Sequence, residues 1–165
     1  MFACLDVDYR ADHAVASCVV FNDWKDAAAV EEHVARIMQV EPYVAGQFYR
    51  RELPCLLAVL QKVTVPLDAV VIDGYVCMDD KSAPGLGMHL FEALHREVPV
   101  IGVAKTRFAT AVAEEVFRPG SARPLLVTAV GVDAVLAATP IRSMHGAHRI
   151  PTLLKRADTL CRQSG

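Results

Sequence analysis

The sequence predicts an α/β fold, one mixed β-sheet flanked by α-helices in a single domain over residues 1–165. Three observations predict it. Two apolar runs of strand length, residues 2–9 and 13–22, open the chain. Two later runs, 69–73 and 98–103, are apolar almost throughout, the pattern of parallel strands buried on both faces. Stripes of apolar residues at helical spacing lie between and after them.

Residues 2–9 alternate, and 13–22 contain Ala-Val-Ala-Ser-Cys-Val-Val-Phe; the tight connection between them reads as a β-hairpin. Residues 26–40 fit two patterns. Val30, Val34, Ile37 and Met38 share a helical face, while Val34, Met38 and Val40 fit a strand. Over 52–63, Leu53, Leu56, Leu57, Leu60 and Val63 form one helical stripe, with Pro54 expected in the first turn. The run 69–73 leaves the sheet at Asp73-Gly74. A helix is expected over 86–96, then a buried strand over 98–103 leading to Ala104-Lys105. Residues 125–130 read as a strand, and 132–139 as another. A last helix covers 151–163, with Pro151 in its first turn.

With 53% hydrophobic and 22% charged residues, the composition is globular and excludes a disordered tail or fibrous repeat. No stretch approaches the ~20 apolar residues of a membrane span. Asp6 interrupts the N-terminus too early for a signal peptide. The five cysteines are scattered without a CxxC pair, so reduced thiols and a cytoplasmic location are expected. Charge is uneven: residues 1–100 hold 8 Lys/Arg against 15 Asp/Glu, and residues 101–165 hold 9 against 4. That split suits acids that bind metal and bases that face an anionic ligand.

Four acids stand out. Asp6 lies inside an apolar strand, where a lone carboxylate costs several kcal/mol unless paired or metal-bound. Asp73 ends a buried strand, where functional groups of α/β sheets gather. Glu52 opens a helix, where it would by itself complement the dipole. Asp158 borders the apolar stripe of the last helix. Together they can converge on one sheet edge, and oxygen-only ligands select hard cations such as Mg²⁺ or Mn²⁺. Such an ion supports phosphodiester cleavage. The arrangement resembles the ribonuclease H-like superfamily of nucleases. Competing motifs are absent from the sequence: no His/Cys cluster has zinc spacing, and neither a P-loop nor a GxSxG elbow occurs.

Four ordered segments resemble the endonuclease V family of inosine-directed nucleases. The first is Leu5-Asp6-Val7. The second is Tyr43-Val44-Ala45-Gly46 followed by Arg51-Glu52-Leu53-Pro54, with the family's nine-residue step from Tyr to Glu. The third joins Val71-Ile72-Asp73-Gly74, Gly85-Leu86-Gly87-Met88-His89-Leu90 and Ile101-Gly102-Val103-Ala104-Lys105. The fourth is Gly146-Ala147-His148-Arg149-Ile150-Pro151 with Arg156-Ala157-Asp158. The chain departs from the family pattern in four places. It starts at the first strand, without the usual helical extension. Ala45 replaces the Pro of the strand-separating wedge. Val76 replaces a pocket glycine, with Asp79 or Asp80 in place of a His. The Ser-x-Gly-His signature becomes Thr128-Ala129-Val130-Gly131-Val132.

The resemblance implies a Mg²⁺-dependent endonuclease acting on DNA or RNA, inosine-containing strands included, with Mn²⁺ as an alternative cation. It implies that Asp6 and Asp73 hold the first metal ion, and that Asp158, a further candidate metal ligand, and Glu52 complete the cluster or position a second ion and the attacking water. Lys105 would stabilise the scissile phosphate or orient Glu52. Tyr43 would stack on exposed bases, and Gly46, Gly74 and Arg149 would contact substrate. Val76 and Asp79 are expected to crowd the base pocket and weaken inosine discrimination. A second class stands beside this one: a diverged nucleic-acid-binding or regulatory protein that has kept the fold.

Overall fold

The alternating N-terminal runs form β1 (Phe2–Tyr9) and β2 (Ala14–Phe21), an antiparallel hairpin in which Tyr9 faces Ala14. The computed structural model describes residues 1–108 and 110–164. β3 (Glu31–Ile37) pairs antiparallel with the outer side of β2, so the ambiguous segment is a strand. The free edge of the fully buried β2 decides this, because strand formation follows from an available partner more than from local propensity.

β4 (Ala69–Asp73) lies parallel to β1, and β5 (Val100–Ala104) lies parallel to β4. β6 (Glu114–Val116) and β7 (Leu125–Val130) complete a seven-stranded sheet of order β3-β2-β1-β4-β5-β7-β6. β6 is too short to stand out in the sequence.

α1 (Phe48–Leu60) and α2 (Leu86–Ala93) cover one face of the sheet, where Leu56 and Leu90 pack with Leu5, Val70 and Ile72. α3 (Ala134–Ser143) and α4 (Thr152–Gln163) cover the other, where Ile141 and Leu153 pack with Cys4, Val71 and Val103. α4 is tied down at two points. The Ser17 hydroxyl donates to the Ala157 carbonyl at 2.8 Å, and Arg10 donates to the terminal carbonyls of Cys161 and Arg162.

Three expectations need correction. Residues 132–139 are not a strand. Asp133 caps α3 by accepting from the N–H groups of Val135 and Leu136, and both edges of β7 are already taken by β5 and β6. α1 begins four residues before Glu52, so Pro54 stands in its second turn and Glu52 inside it. α2 stops at Ala93, before His95 and Arg96 enter positive φ at 57° and 62°.

The five cysteines are free thiols. Among the described residues no helix is long and apolar enough to cross a membrane.

Candidate active site

The parallel pairing of β1 with β4 runs in register to Leu5↔Ile72, which sets Asp6 and Asp73 level on neighbouring strands. Residues level on parallel neighbours project from the same face. Both carboxylates border a cleft beneath α4 that Lys105, Ile150, Lys155 and Asp158 also line. Glu52 comes from the opposite side of the sheet on α1. It is only 6% exposed, which removes the reading of a solvated helix-start acid.

The acids repel one another. Burial, and then the charges of Asp73 and Asp158, push Asp6 up to about 6, against the hydrogen bond that its Oδ1 accepts from the Val7 N–H at 2.8 Å. Burial, and then Asp6 and Asp73, push Glu52 up to about 8. The Tyr9 hydroxyl lies beside Glu52 and works against the rise of its pKa, and the Arg51 guanidinium lies 3.9 Å over the Tyr9 ring.

Cations offset part of this repulsion. Lys105, carried by the end of β5, donates to Asp73 Oδ2 at 2.5 Å; its partner is Asp73 and not Glu52. Burial works against the lysine's charge, but the bond to Asp73 keeps its pKa above the usual value. Asp158 accepts from Lys155 at 2.6 Å and from Arg162 at 2.5 Å. Burial would raise its pKa, and these two bonds hold it below the usual carboxylate range.

Among the described residues no three His, Cys, Asp or Glu side chains already form an ion cage. The donor chemistry nevertheless fits a hard divalent cation. The donors are all oxygen, and two level carboxylates carry strain that a cation would relieve. Asp6 and Asp73 would be the donors, and Asp158 of α4 lines the same cleft.

Beyond Asp73 the cleft opens into an aromatic pocket lined by Tyr43, Gly46, Phe48, Tyr49, Gly74, Tyr75 and Phe108. Tyr43 is 63% exposed, which excludes a core role. Tyr49 stacks on His89 with ring centroids 3.6 Å apart. Gly74 has φ +140°, and a Cβ there would meet nothing within 4 Å, so its backbone faces open pocket. Gly102 serves packing instead, because a Cβ there would lie 2.5 Å from the Gly74 carbonyl oxygen. The Tyr75 hydroxyl donates to the Thr106 carbonyl and accepts from the Phe108 N–H, fixing the pocket wall to the Lys105 segment.

Val76 does not line this pocket. It is fully buried, packed against Gly87 under α2, and its N–H donates to Thr128 Oγ1. Asp79 is also turned away, because its Oδ1 accepts from the N–H groups of Lys81 and Ala83 within its own loop. With Asp80 it borders a separate groove near Thr128. The expected crowding of the pocket is therefore absent.

Arg149 donates to the carbonyls of Lys105 and Pro124, which holds the end of β5. Sequence reasoning missed Phe48, Tyr49, Tyr75 and Phe108. The available signal was their position within three residues of the Arg51-Glu52 pair, Gly74 and Lys105. It also missed Arg118, which is 4% exposed and donates to the carbonyls of Ile141, Arg142, Met144, Gly146 and His148.

A family model described as Endonuclease V matches residues 1–150. Endonuclease V of Streptomyces avermitilis is 32% identical over 187 residues, covering 97% of this chain and 78% of its own. The Streptomyces coelicolor protein of the same name is 32% identical over 180 residues, covering 96% and 76%. The crystal structure of the S. avermitilis protein matches with a TM-score of 0.81 at 29% identity, over 99% of this chain and 80% of that one. Ciona intestinalis endonuclease V, solved with a 24mer DNA containing an inosine followed by a ribo-adenosine, has a TM-score of 0.84 at 19% identity. That likeness covers 99% of this chain and 84% of the other, and it shows the shared fold.

Proposed function

The chain belongs to the endonuclease V family, and on that premise we propose that it is a metal-dependent endonuclease cleaving phosphodiester bonds in DNA or RNA, with Mg²⁺ as its cation and Mn²⁺ as a substitute. The observation that carries this reading is the level pair Asp6 and Asp73 on adjacent parallel strands, flanked by Asp158 and the buried Glu52. Asp6 and Asp73 would hold the ion, with Asp158 completing the shell. A bound divalent cation supplies an activated water and stabilises the departing oxygen.

The remaining work falls to the protein's own groups. Burial, and then the charges of Asp6 and Asp73, favour the protonated form of Glu52; where that repulsion is offset, its carboxylate can accept a proton from the attacking water. Lys105 keeps a positive charge at the end of β5 beside Asp73, where a phosphate would arrive. The aromatic pocket takes a base that has left the stack, with Tyr43 at its rim and Gly74 offering bare backbone. Base–aromatic stacking contributes ~1–3 kcal/mol per base. Inosine-containing strands are the proposed substrate. With Val76 and Asp79 turned away, Ala45 is a departure that stands between the lining residues Tyr43 and Gly46.

Labelled DNA and RNA strands, with and without a single inosine, incubated with Mg²⁺, Mn²⁺ or EDTA, test this. Cleavage is expected with either metal and none with EDTA. Asp6→Asn and Asp73→Asn should lose at least a hundredfold in rate, or ~2.7 kcal/mol in the barrier, with the fold intact. Wild-type turnover by Asp6→Asn under saturating Mg²⁺ would sink the reading.

A further inference from the structure

Three surface depressions adjoin one another at the carboxyl edge of the parallel strands. The aromatic pocket shares Asp73 with the carboxylate cleft, and the cleft shares Lys105 with a third groove. This third groove is lined by Lys105, Arg107, Arg123 and Arg149 against a single acid, Glu115. Two other grooves are less suited to an anion. One balances Arg10 and Arg51 against Asp12 and Glu41, and the other is bordered by Asp79 and Asp80 without a basic residue.

We propose that the groove of Lys105, Arg107 and Arg123 is the track for the substrate's phosphate backbone on one side of the scissile bond, where the strand leaves the carboxylate cleft. The inference rests on the cleft being the phosphodiester-cleaving site and adds the path of the strand through it. Local bonding supports the assignment. Arg149 spends Nη2 on the carbonyls of Lys105 and Pro124, so it shapes the floor of the groove and fixes its two walls. Arg107 pairs with Glu115 across the rim. Arg123 is exposed and has no ion pair among the described residues, so its guanidinium is the charge available to a phosphate without disrupting another bond. Phosphate contacts of this kind position a strand without reading its sequence.

The test compares wild-type protein with Arg123→Glu and Arg107→Glu, using Lys25→Glu as a control. Lys25 follows β2 at the opposite end of the sheet and undergoes the same change of charge. Binding of fluorescent single-stranded oligonucleotides is measured by anisotropy over a range of salt in EDTA, and cleavage is measured with Mg²⁺. Arg123→Glu should weaken binding about tenfold or more and flatten the salt dependence, by about 0.7 in slope for each phosphate of a single strand that the variant no longer neutralises. It should raise KM with kcat nearly unchanged, and Lys25→Glu should change neither. Trimming the oligonucleotide on one side of the cleavage point should erase the difference between wild type and Arg123→Glu, while trimming the other side should preserve it. If wild-type protein cleaves no strand in Mg²⁺ or Mn²⁺, the reading of the cleft falls and the track falls with it. If wild type cleaves but Arg123→Glu behaves like Lys25→Glu, or both trims act alike, the track alone is overturned.

Discussion

Glu52 is the residue most at odds with its surroundings, and its titration has a definite sign. Its pKa rises from 4.5 to about 8 on folding, so between those values the folded state binds more protons than the unfolded chain. The stability it contributes is present below pH 4.5 and is lost as pH climbs through about 8; Asp6, raised to about 6, acts in the same direction over a lower window. In metal-free protein at pH 8.5, Glu52→Gln should therefore raise Tm, by ~2–4 °C for each kcal/mol of repulsion removed, and the gain should vanish at pH 4. Differential scanning calorimetry at the two pH values decides it. Val76 supplies a second residue-scale expectation. Because it packs under α2 and not in the aromatic pocket, Val76→Ala should cost ~1–3 kcal/mol of stability while the preference for inosine-containing strands stays within twofold of wild type. A change in preference without a change in Tm would put Val76 back in the pocket.

At the scale of elements, α3 and the loop after it depend on one buried side chain. The last carbonyls of a helix lack intrahelical donors, and Arg118 supplies donors for Ile141, Arg142 and Met144 before reaching Gly146 and His148. Burial lowers its pKa; among the described residues no carboxylate pairs with it, and five carbonyl dipoles face the charge instead. Removing the guanidinium strands those acceptors, and Arg118→Met should cost ~3 kcal/mol or more, a fall of ~6–12 °C in Tm. The loop that Arg118 holds leads directly to Arg149, which in turn fixes the carbonyl of Lys105. The same variant should therefore also lose cleavage rate at temperatures well below its Tm, whereas a purely global destabilisation would leave that rate unchanged.

For the whole molecule, the clustered acids make the apoprotein weaker than the metal-bound form. A cation that binds only the folded chain adds about 2.7 kcal/mol at a hundred times its Kd. For a protein of this size that corresponds to a rise of ~5–10 °C in Tm with saturating Mn²⁺ or Mg²⁺. Asp6→Asn should remove most of that rise while leaving the metal-free Tm equal to or above wild type, because it also relieves the repulsion with Asp73. An equal metal-induced shift in Asp6→Asn would place the ion elsewhere.

Several features are legible along the chain alone. β1, β2, β4 and β7 follow from local alternation or from unbroken apolar runs, and their extents agree with the sequence to within a residue or so. Asp6 and Asp73 stand out because an acid in such a run needs a compensating partner wherever the run is placed. Other features depend on what lies across space. Residues 31–37 form a strand because β2 offers a free edge, and residues 134–143 form a helix because β7 offers none. The inward turn of Glu52, the burial of Val76 and the assembly of an aromatic pocket from four separate segments are likewise settled by packing. By itself the sequence determined the apolar periodicity, the misplaced acids and the ordered family segments, all of them properties of neighbouring residues along the chain. Only the tertiary structure decided which strands lie side by side, and hence that Asp6 stands level with Asp73 and that Lys105 pairs with Asp73, because strand order and side-chain facing depend on contacts between residues far apart in the chain.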